Sequence, residues 1–322
     1  MTNKLLQNKF FAFLKLIRFE NLLMMVLTMY CMRYFVVQAL LKTTNLSDNL
    51  FFLLVLSTTL IAAAGYIIND YFDVKTDQIN RPETVVIDTV IKRRTAMLLH
   101  IVFSGIGLLI GAWLAYECYA LRLVLFQLAA ITLLWFYSTN FKKQLLTGNI
   151  AIAFLTGVIP FMPFAYEVFS GVKVNTAFFD QNHHEIKILL IISLIFGGFA
   201  FLTSLIREII KDMEDFNGDV QTGSKTMPIS WGIITTKVVT FFLLVITIGI
   251  LGFSIIKLWQ WHHKTASFYL IMTVIFPLLI LILQVIKAKT PFNYKIASLL
   301  LKLIMLFGVA FTFIIKLIYE QH

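Results

Sequence analysis

Two acidic triplets with the same internal spacing are the residues of this chain best suited to do chemistry. The first triplet is Asp70, Asp73 and Asp77, and the second is Asp212, Asp215 and Asp219. On a helix, residues i, i+3 and i+7 lie along one face, so we expect each triplet to direct three carboxylates toward a common point. Crowded carboxylates repel one another, and a divalent cation relieves that repulsion. The triplets therefore predict an oxygen-lined site for Mg²⁺ and a polyphosphate.

The rest of the chain is apolar enough to require lipid as its solvent. Hydrophobic residues make up 59% of the 322 positions, charged residues 14%, and the mean hydropathy is +0.85. These values are typical of a polytopic membrane protein. Nine apolar runs of roughly 18–25 residues are each long enough to cross a hydrocarbon core of about 30 Å. Their expected limits are 22–41, 50–69, 95–117, 120–139, 149–169, 186–206, 233–257, 265–286 and 295–318.

The apolar runs lack the alternation of barrel strands, and helices satisfy the backbone in lipid. Residues 9–19 combine Phe and Leu with Lys and Arg, a pattern that predicts an interfacial amphipathic helix. The sequence therefore predicts an all-α fold: nine transmembrane helices around a central cavity, preceded by this interfacial helix. We expect a single domain over residues 1–322, with an internal repeat indicated by acidic motifs at 69–82 and 207–228.

Charge predicts the orientation of the bundle. Most of the 27 Lys and Arg residues lie in the N-terminal segment and in the loops that follow even-numbered spans. By the positive-inside rule, the N-terminus and both acidic triplets should face the cytoplasm, with the chain in the cell inner membrane. We interpret the net charge of +10 as a topology signal and expect membrane lipids, not nucleic acid, as partners. The sequence does not indicate a protein partner.

Both acidic motifs resemble the signatures of a known family. The segment NDYFDVKTDQINRP at residues 69–82 is similar to the first signature of the UbiA superfamily of intramembrane prenyltransferases, and REIIKDMEDFNGDVQTGSKTMP at 207–228 is similar to the second. The segment around Tyr137, Lys142 and Asn149 resembles the family's connection between spans 4 and 5, and Arg18-x-x-Asn21 resembles its entry to span 1. The resemblance covers most of the chain.

The resemblance implies a Mg²⁺-dependent enzyme that transfers a prenyl group from a prenyl diphosphate to a lipophilic acceptor. The six aspartates would then ligate the metal and act in catalysis. Substrate-binding roles are expected for Asn21, Asn69, Arg81, Tyr137, Lys142, Asn149, Arg207, Lys211 and Lys225. Arg or Lys near the metal would stabilise the leaving diphosphate, and aromatic faces would stabilise the allylic cation.

The acceptor is predicted from the second motif, which is most similar to the branch that transfers a geranylgeranyl group to a prenylated glycerol phosphate in ether lipid synthesis. An aromatic acid in quinone biosynthesis is the alternative within the family. A transporter that binds divalent cations is an alternative of a different class, but acids in a transport path should lie near the middle of the membrane.

Two features of the sequence are exceptions. One departs from the family pattern, and the other places a charge inside an apolar run. After Arg81 the chain lacks the Pro-Gly turn of many family members, and Lys92, Arg93 and Arg94 either replace its positive charge or anchor the topology. Arg33 lies inside the first apolar run, where it would snorkel or line the cavity.

Overall fold

The chain enters the bundle through a short helix and a sharp turn. The computed structural model describes residues 8–41, 44–170, 178 and 181–320. Helix α1 (Lys9–Leu16) begins at Asn8, whose side chain accepts a hydrogen bond from the Phe10 amide at 3.0 Å. Arg18 then adopts a left-handed backbone conformation with φ of 49° immediately before the first long helix. Left-handed conformations are unfavourable for residues other than glycine, so the turn depends on contacts of the Arg18 side chain.

Within the described residues, nine helices are long and apolar enough to cross a membrane, which confirms the predicted all-α architecture. Two shorter helices follow the sixth of them. In chain order the helices after α1 are α2 (Phe19–Leu40), α3 (Asp48–Asn80), α4 (Arg93–Glu117), α5 (Leu121–Thr139), α6 (Thr147–Ser170), α7 (His183–Glu214), α8 (Phe216–Gln221), α9 (Met227–Ser230), α10 (Ile233–Gln260), α11 (Lys264–Lys287) and α12 (Pro291–Glu320).

Helices α3 and α7 extend well beyond their apolar runs. The predicted limits of 50–69 and 186–206 end about where the hydrophobic residues end, whereas the helices continue to Asn80 and Glu214. A helix persists as long as its backbone remains hydrogen-bonded and one face packs, and Val74 and Met213 are both buried in these extensions. The extensions bring the first acidic triplet, and the start of the second, onto regular helix.

The helices pack closely through small residues. Helix α3 packs chiefly against α4, and α6 packs chiefly against α7. Gly157 of α6 meets Gly197 of α7 so closely that a Cβ on Gly157 would lie 2.9 Å from the Gly197 carbonyl oxygen. Such close approach of helix backbones is a common way to associate helices in lipid.

Six helices, α2, α3, α5, α6, α7 and α12, enclose a cavity of about 700 Å³. Large apolar side chains cover the outside of the bundle, among them Leu109, Ile234 and Phe253, each more than 60% exposed. Exposed apolar surface of this extent is compatible with lipid as solvent. Because four crossings separate α3 from the end of α7, both acidic triplets lie at the same end of the bundle.

Candidate functional site

The first acidic triplet lies on one helix, as predicted. Asp70 Oδ1 accepts a hydrogen bond from Arg18 Nη2 at 2.8 Å, the contact that holds the left-handed turn before α2. Asp73 is buried, accepts a hydrogen bond from Asn69 Nδ2 at 2.8 Å, and forms an ion pair with Lys142. Asp77 lies one turn further along α3.

The second triplet does not lie on one helix face, so that prediction is wrong. Helix α7 ends at Glu214, Asp215 is its C-terminal cap, and Asp219 lies on the separate helix α8. Asp212 stays on α7, where its Oδ2 accepts a hydrogen bond from Asn149 Nδ2 at 2.7 Å. The break occurs because hydrogen bonds from another helix hold the backbone on both sides of it.

Asn80, the last residue of α3, makes those hydrogen bonds. Its Nδ2 donates to the Asp215 carbonyl oxygen at 3.1 Å, and its Oδ1 accepts from the Gly218 amide at 2.8 Å. A Cβ at Gly218 would lie 2.5 Å from the Asn80 side-chain amide, so only glycine fits this contact. Arg81 adds ion pairs to Asp215 and, at 3.2 Å, to Glu214. The two acidic motifs are therefore directly linked.

Lys142 lies between the linked motifs, on a short 3-10 helix (Phe141–Lys143) between α5 and α6. Burial lowers the pKa of Lys142, but Asp73 and Tyr137 oppose this and hold the pKa above its ordinary value. Burial also raises the pKa of Asp219 to about 6, with Lys142 acting in the opposite direction and the nearby carboxylates of Asp73 and Asp77 adding to the rise. The positive charge of Lys142 thus acts on carboxylates of both motifs.

The cavity opens beside this charged region. Asn69, Tyr137 and Asn21 line its polar end, and the remaining lining is mostly apolar. A space of this size and composition suits a hydrocarbon chain with a polar head. None of the six aspartates lines the cavity itself, so the acidic motifs lie beyond its polar end.

Basic residues of the second motif occupy two different environments. Arg207 and Lys211 line the cavity, and both contact Glu208, at 3.2 Å and 3.3 Å. Lys225 stands apart, because its side chain is exposed and its backbone amide donates to the Lys143 carbonyl oxygen at 2.8 Å. Arg207 and Lys211 therefore belong to the cavity wall, and Lys225 does not.

Cations of the protein engage several of the carboxylates that a divalent metal ion would need. Among the described residues, no group of three His, Cys, Asp or Glu side chains is arranged to hold a metal ion, and Arg or Lys engages Asp70, Asp73 and Asp215 instead. Asn69 Oδ1, however, is buried next to Asp73 and has no hydrogen-bond partner in the described part of the chain. Mg²⁺ prefers oxygen ligands such as a free amide oxygen beside carboxylates. The residues therefore fit the ion, provided that the Arg and Lys side chains no longer engage these carboxylates.

The basic cluster after the missing turn lies next to the first motif. Arg93 stacks over the Tyr71 ring at 5.0 Å, donates to the Tyr71 carbonyl oxygen at 3.3 Å and pairs with Asp88 at 3.7 Å. A left-handed residue, Asp88 with φ of 69°, shapes this loop. Arg93 therefore supports the segment that carries Asp70 and Asp73.

Arg33 neither snorkels to the membrane surface nor lines the cavity, the two roles expected from the sequence. It is 1% exposed, lies outside the cavity lining and forms an ion pair with Glu167, which is 0% exposed. Its guanidinium also donates to the Leu46 carbonyl oxygen and stacks over Phe51 at 5.3 Å. This cluster joins α2 to α6 at the end of the bundle opposite the acidic motifs.

Sequence reasoning missed several residues at the site. Asn80 was present in the first motif without an assigned role, and Glu208 and Tyr66 face the cavity from the two acidic helices. Lys302 lines the cavity from α12, far in sequence from either motif. The signal available for Lys302 was a charge inside the last apolar run, between Lys295 and Lys316 at its two ends, and a charge inside such a run favours a functional position in a membrane helix.

Solved structures share this architecture. A structure reported for digeranylgeranylglyceryl phosphate synthase in membranes superimposes with a TM-score of 0.62 at 20% identity, covering 95% of this chain and 99% of that one. A UbiA homolog from Archaeoglobus fulgidus bound to GPP and Mg²⁺ gives a TM-score of 0.59 at 17% identity, covering 94% of this chain and 99% of that one. At these identities the likeness concerns the fold.

Curated sequences are also similar to this chain. A digeranylgeranylglyceryl phosphate synthase from Thermococcus sibiricus is 33% identical over 52% of each chain, so the match spans about half the length of that relative. The enzyme of the same name from Saccharolobus solfataricus is 31% identical over 78% of this chain and 79% of its own length. The model of the UbiA prenyltransferase family matches residues 23–314. Taken with the linked acidic motifs and the nine-helix cavity, these matches show that the chain belongs to the UbiA prenyltransferase family.

Proposed function

We propose that this protein transfers a prenyl group from a prenyl diphosphate to a lipophilic acceptor inside the membrane, with Mg²⁺ as cofactor. The observation that carries the proposal is the juxtaposition of two linked acidic motifs, joined through Asn80 and Lys142, with an apolar cavity of about 700 Å³. A prenyl diphosphate has a hydrocarbon tail that suits the cavity and a charged head that suits its polar end. The active site faces the cytoplasm of the inner membrane in this proposal.

The six aspartates and Asn69 would hold the cofactor in the proposed site. When bound there, Mg²⁺ supplies positive charge that stabilises the diphosphate as a leaving group. Lys142 and Arg81, which now engage Asp73 and Asp215, would then be free to contact the phosphate oxygens. Arg is suited to bind phosphate through two parallel hydrogen bonds, whereas Lys acts as a point charge.

The chain's own residues then assist the transfer. The bond between C1 and the bridging oxygen of the donor breaks, the acceptor hydroxyl oxygen bonds to C1, and the hydroxyl proton is released. The rings of Tyr66 and Tyr137 line the polar end of the cavity, where their faces stabilise positive charge on the allylic carbon. The apolar remainder of the cavity limits the access of water, which protects the cation from hydrolysis.

The acceptor we propose is a prenylated glycerol phosphate that receives a geranylgeranyl group, giving an ether lipid. Two observations support it: the cavity wall carries the cations Arg207 and Lys211, and the sequence relatives bear the name digeranylgeranylglyceryl phosphate synthase. A phosphorylated acceptor has the charge that such a wall attracts.

A transfer assay with competing acceptors tests this proposal. Purified protein in proteoliposomes receives labelled geranylgeranyl diphosphate, Mg²⁺ and either geranylgeranylglycerol phosphate or a hydroxylated aromatic acid, with Asp73→Ala as the inactive control. We expect ether product and released diphosphate with the glycerol phosphate. Product with the aromatic acid alone would overturn the acceptor, and Mg²⁺ flux without diphosphate release would favour a transporter instead.

A further inference from the structure

The cavity lining contains a group of charged residues that is separate from the six aspartates, which lie beyond its polar end. It comprises Arg18, Glu20, Arg207, Glu208, Lys211 and Lys302. Four of these side chains are cationic and two are anionic, and Arg18 is additionally paired with Asp70 outside the lining. One positive charge is therefore left without a matching carboxylate. A charge surplus inside an otherwise apolar cavity favours an anionic ligand.

Lys302 of α12 is the least engaged of these cations. Its Nζ lies 3.8 Å from a carboxylate oxygen of Glu20, a side chain that is 91% exposed, while Lys302 is 28% exposed. Ion pairs with such exposed partners contribute little. The Lys302 ammonium is thus held at the cavity wall by a weak contact that a stronger anion can replace.

Arg207 is also incompletely satisfied. Its Nη1 donates to Glu208 at 3.2 Å, but the same carboxylate serves Lys211 at 3.3 Å, so one anion is shared by two cations. The Arg207 Nε is buried and has no hydrogen-bond partner among the described residues. A buried donor without an acceptor is costly, and a ligand oxygen would remove that cost. Lys302 and Arg207 line the same cavity and their like charges repel each other, a repulsion that an anionic headgroup would relieve.

The face of α12 that carries Lys302 is otherwise apolar. Leu299, Lys302, Leu306 and Val309 all line the cavity, at the spacing that places residues on one face of a helix. A ligand whose headgroup contacts Lys302 can therefore lay a hydrocarbon chain along Leu306 and Val309. The head is anionic and the tail is apolar, which is the chemistry of a phosphorylated prenyl lipid.

From these contacts we infer that Lys302, together with Arg207, binds the phosphate monoester of the acceptor and makes the enzyme selective for phosphorylated acceptors. The inference rests on the proposed function and deepens it, because it separates an acceptor-phosphate site from the site of the donor diphosphate. Lys302 is a specificity-determining residue here, since its contact is with the acceptor headgroup and not with the reacting atoms.

Replacing Lys302 tests the inference. For Lys302→Met we expect KM for geranylgeranylglycerol phosphate to rise about tenfold or more, the loss expected for one charge-assisted contact, with kcat and the donor KM within about twofold of wild type. Transfer to the unphosphorylated geranylgeranylglycerol should stay unchanged, and Lys302→Arg should restore most of the affinity. The matched control is Lys316→Met on the same helix, a residue 33% exposed, paired with Glu320 at 3.4 Å and outside the cavity lining.

Binding measured without donor or metal keeps the inference separate from the reaction. Lys302→Met should weaken binding of geranylgeranylglycerol phosphate about tenfold, whereas unphosphorylated geranylgeranylglycerol should bind equally to both proteins. Unchanged binding of geranylgeranylglycerol phosphate, or equal losses for the phosphorylated and the unphosphorylated acceptor, would overturn the inference. If the wild type transfers to neither acceptor, the proposed function fails, and the binding measurement still decides the Lys302 site.

Discussion

Among single residues, Lys142 acts on carboxylates of both acidic motifs. It pairs with Asp73 of the first motif and acts on the pKa of Asp219 in the second. In the absence of a ligand it offsets the crowded carboxylates, and with a diphosphate present the same ammonium lies where negative charge develops on the leaving group.

Replacing Lys142 with Met should therefore reduce prenyl transfer about 100-fold or more, the usual cost of removing one charge-stabilising group from an active site. Steady-state transfer with labelled geranylgeranyl diphosphate measures the effect. The control is Lys143→Met, since the neighbouring Lys143 side chain is exposed. Equal activity of the two variants would show that Lys142 has no role beyond charge in the loop.

Residue types near the site were predictable, but their partners were not. The spacing of Asp70, Asp73 and Asp77 is visible in the sequence because helix periodicity is local. The pairing of Asp73 with Lys142 and of Asn149 with Asp212 depends on how helices pack, which a single sequence does not contain. Lys302 was overlooked for the same reason.

At the scale of elements, the break after α7 is what brings the second motif to the first. A continuous helix would carry Asp219 away along the axis of α7, whereas α8 turns back and lies against the end of α3. The equal spacing of the two triplets predicted equal structures. Tertiary hydrogen bonds from Asn80 override that local periodicity. The internal repeat stays a prediction.

Gly218→Ala should disturb this junction, because the added Cβ would lie 2.5 Å from the Asn80 amide. Overpacking typically costs about 1–3 kcal/mol. We expect the binding free energy of prenyl diphosphate in the presence of Mg²⁺ to weaken by about this amount. Gly249→Ala is the control, since nothing lies within 4 Å of a Cβ built there. Identical affinities for the two variants would mean that the close contact is unimportant.

At the end of the bundle opposite the acidic motifs, the ion pair of Arg33 and Glu167 joins α2 to α6. Glu167→Gln leaves the buried guanidinium with only the exposed carboxylate of Asp48, at 3.7 Å, among the described residues, and should destabilise the bundle by about 3–5 kcal/mol. Thermal unfolding in detergent micelles measures the loss. The double variant Arg33→Met with Glu167→Met should recover most of it.

Glu117→Gln is the matched control for this pair, because Glu117 is exposed and accepts a hydrogen bond from Trp113 Nε1 at 3.1 Å, which glutamine can also accept. We expect its unfolding temperature to equal that of the wild type. A Glu167→Gln variant as stable as this control would contradict the view that the buried pair joins the two helices.

For the whole molecule, the number of spans was predictable because hydrophobic length is set by the thickness of the bilayer. The nine apolar runs correspond to the nine long helices within the described part of the chain. The cavity was only a general expectation, since its volume and its lining from six helices follow from side-chain packing. The orientation of the bundle follows from charge and stays a prediction.

Labelling of single cysteines tests that orientation. In a background of Cys31→Ala and Cys118→Ala, we expect Glu83→Cys and Gln221→Cys to react only from the cytoplasmic side, because the two loops lie at the same end of the bundle. Trp261→Cys, between α10 and α11, should react only from the outside. Labelling of residues 83 and 221 from opposite sides would exclude a shared site.

The central claim is that one diphosphate is bound by both acidic motifs at once. Its most direct test is the affinity for geranylgeranyl thiolodiphosphate, a donor analogue that does not react, in the presence of Mg²⁺ for the wild type, Asp73→Asn, Asp215→Asn and the double variant. If both motifs hold the same headgroup, each single change should weaken binding at least about tenfold and the double variant should bind little worse than the weaker single one. Losses that multiply, or a single variant that binds like the wild type, would contradict a shared site.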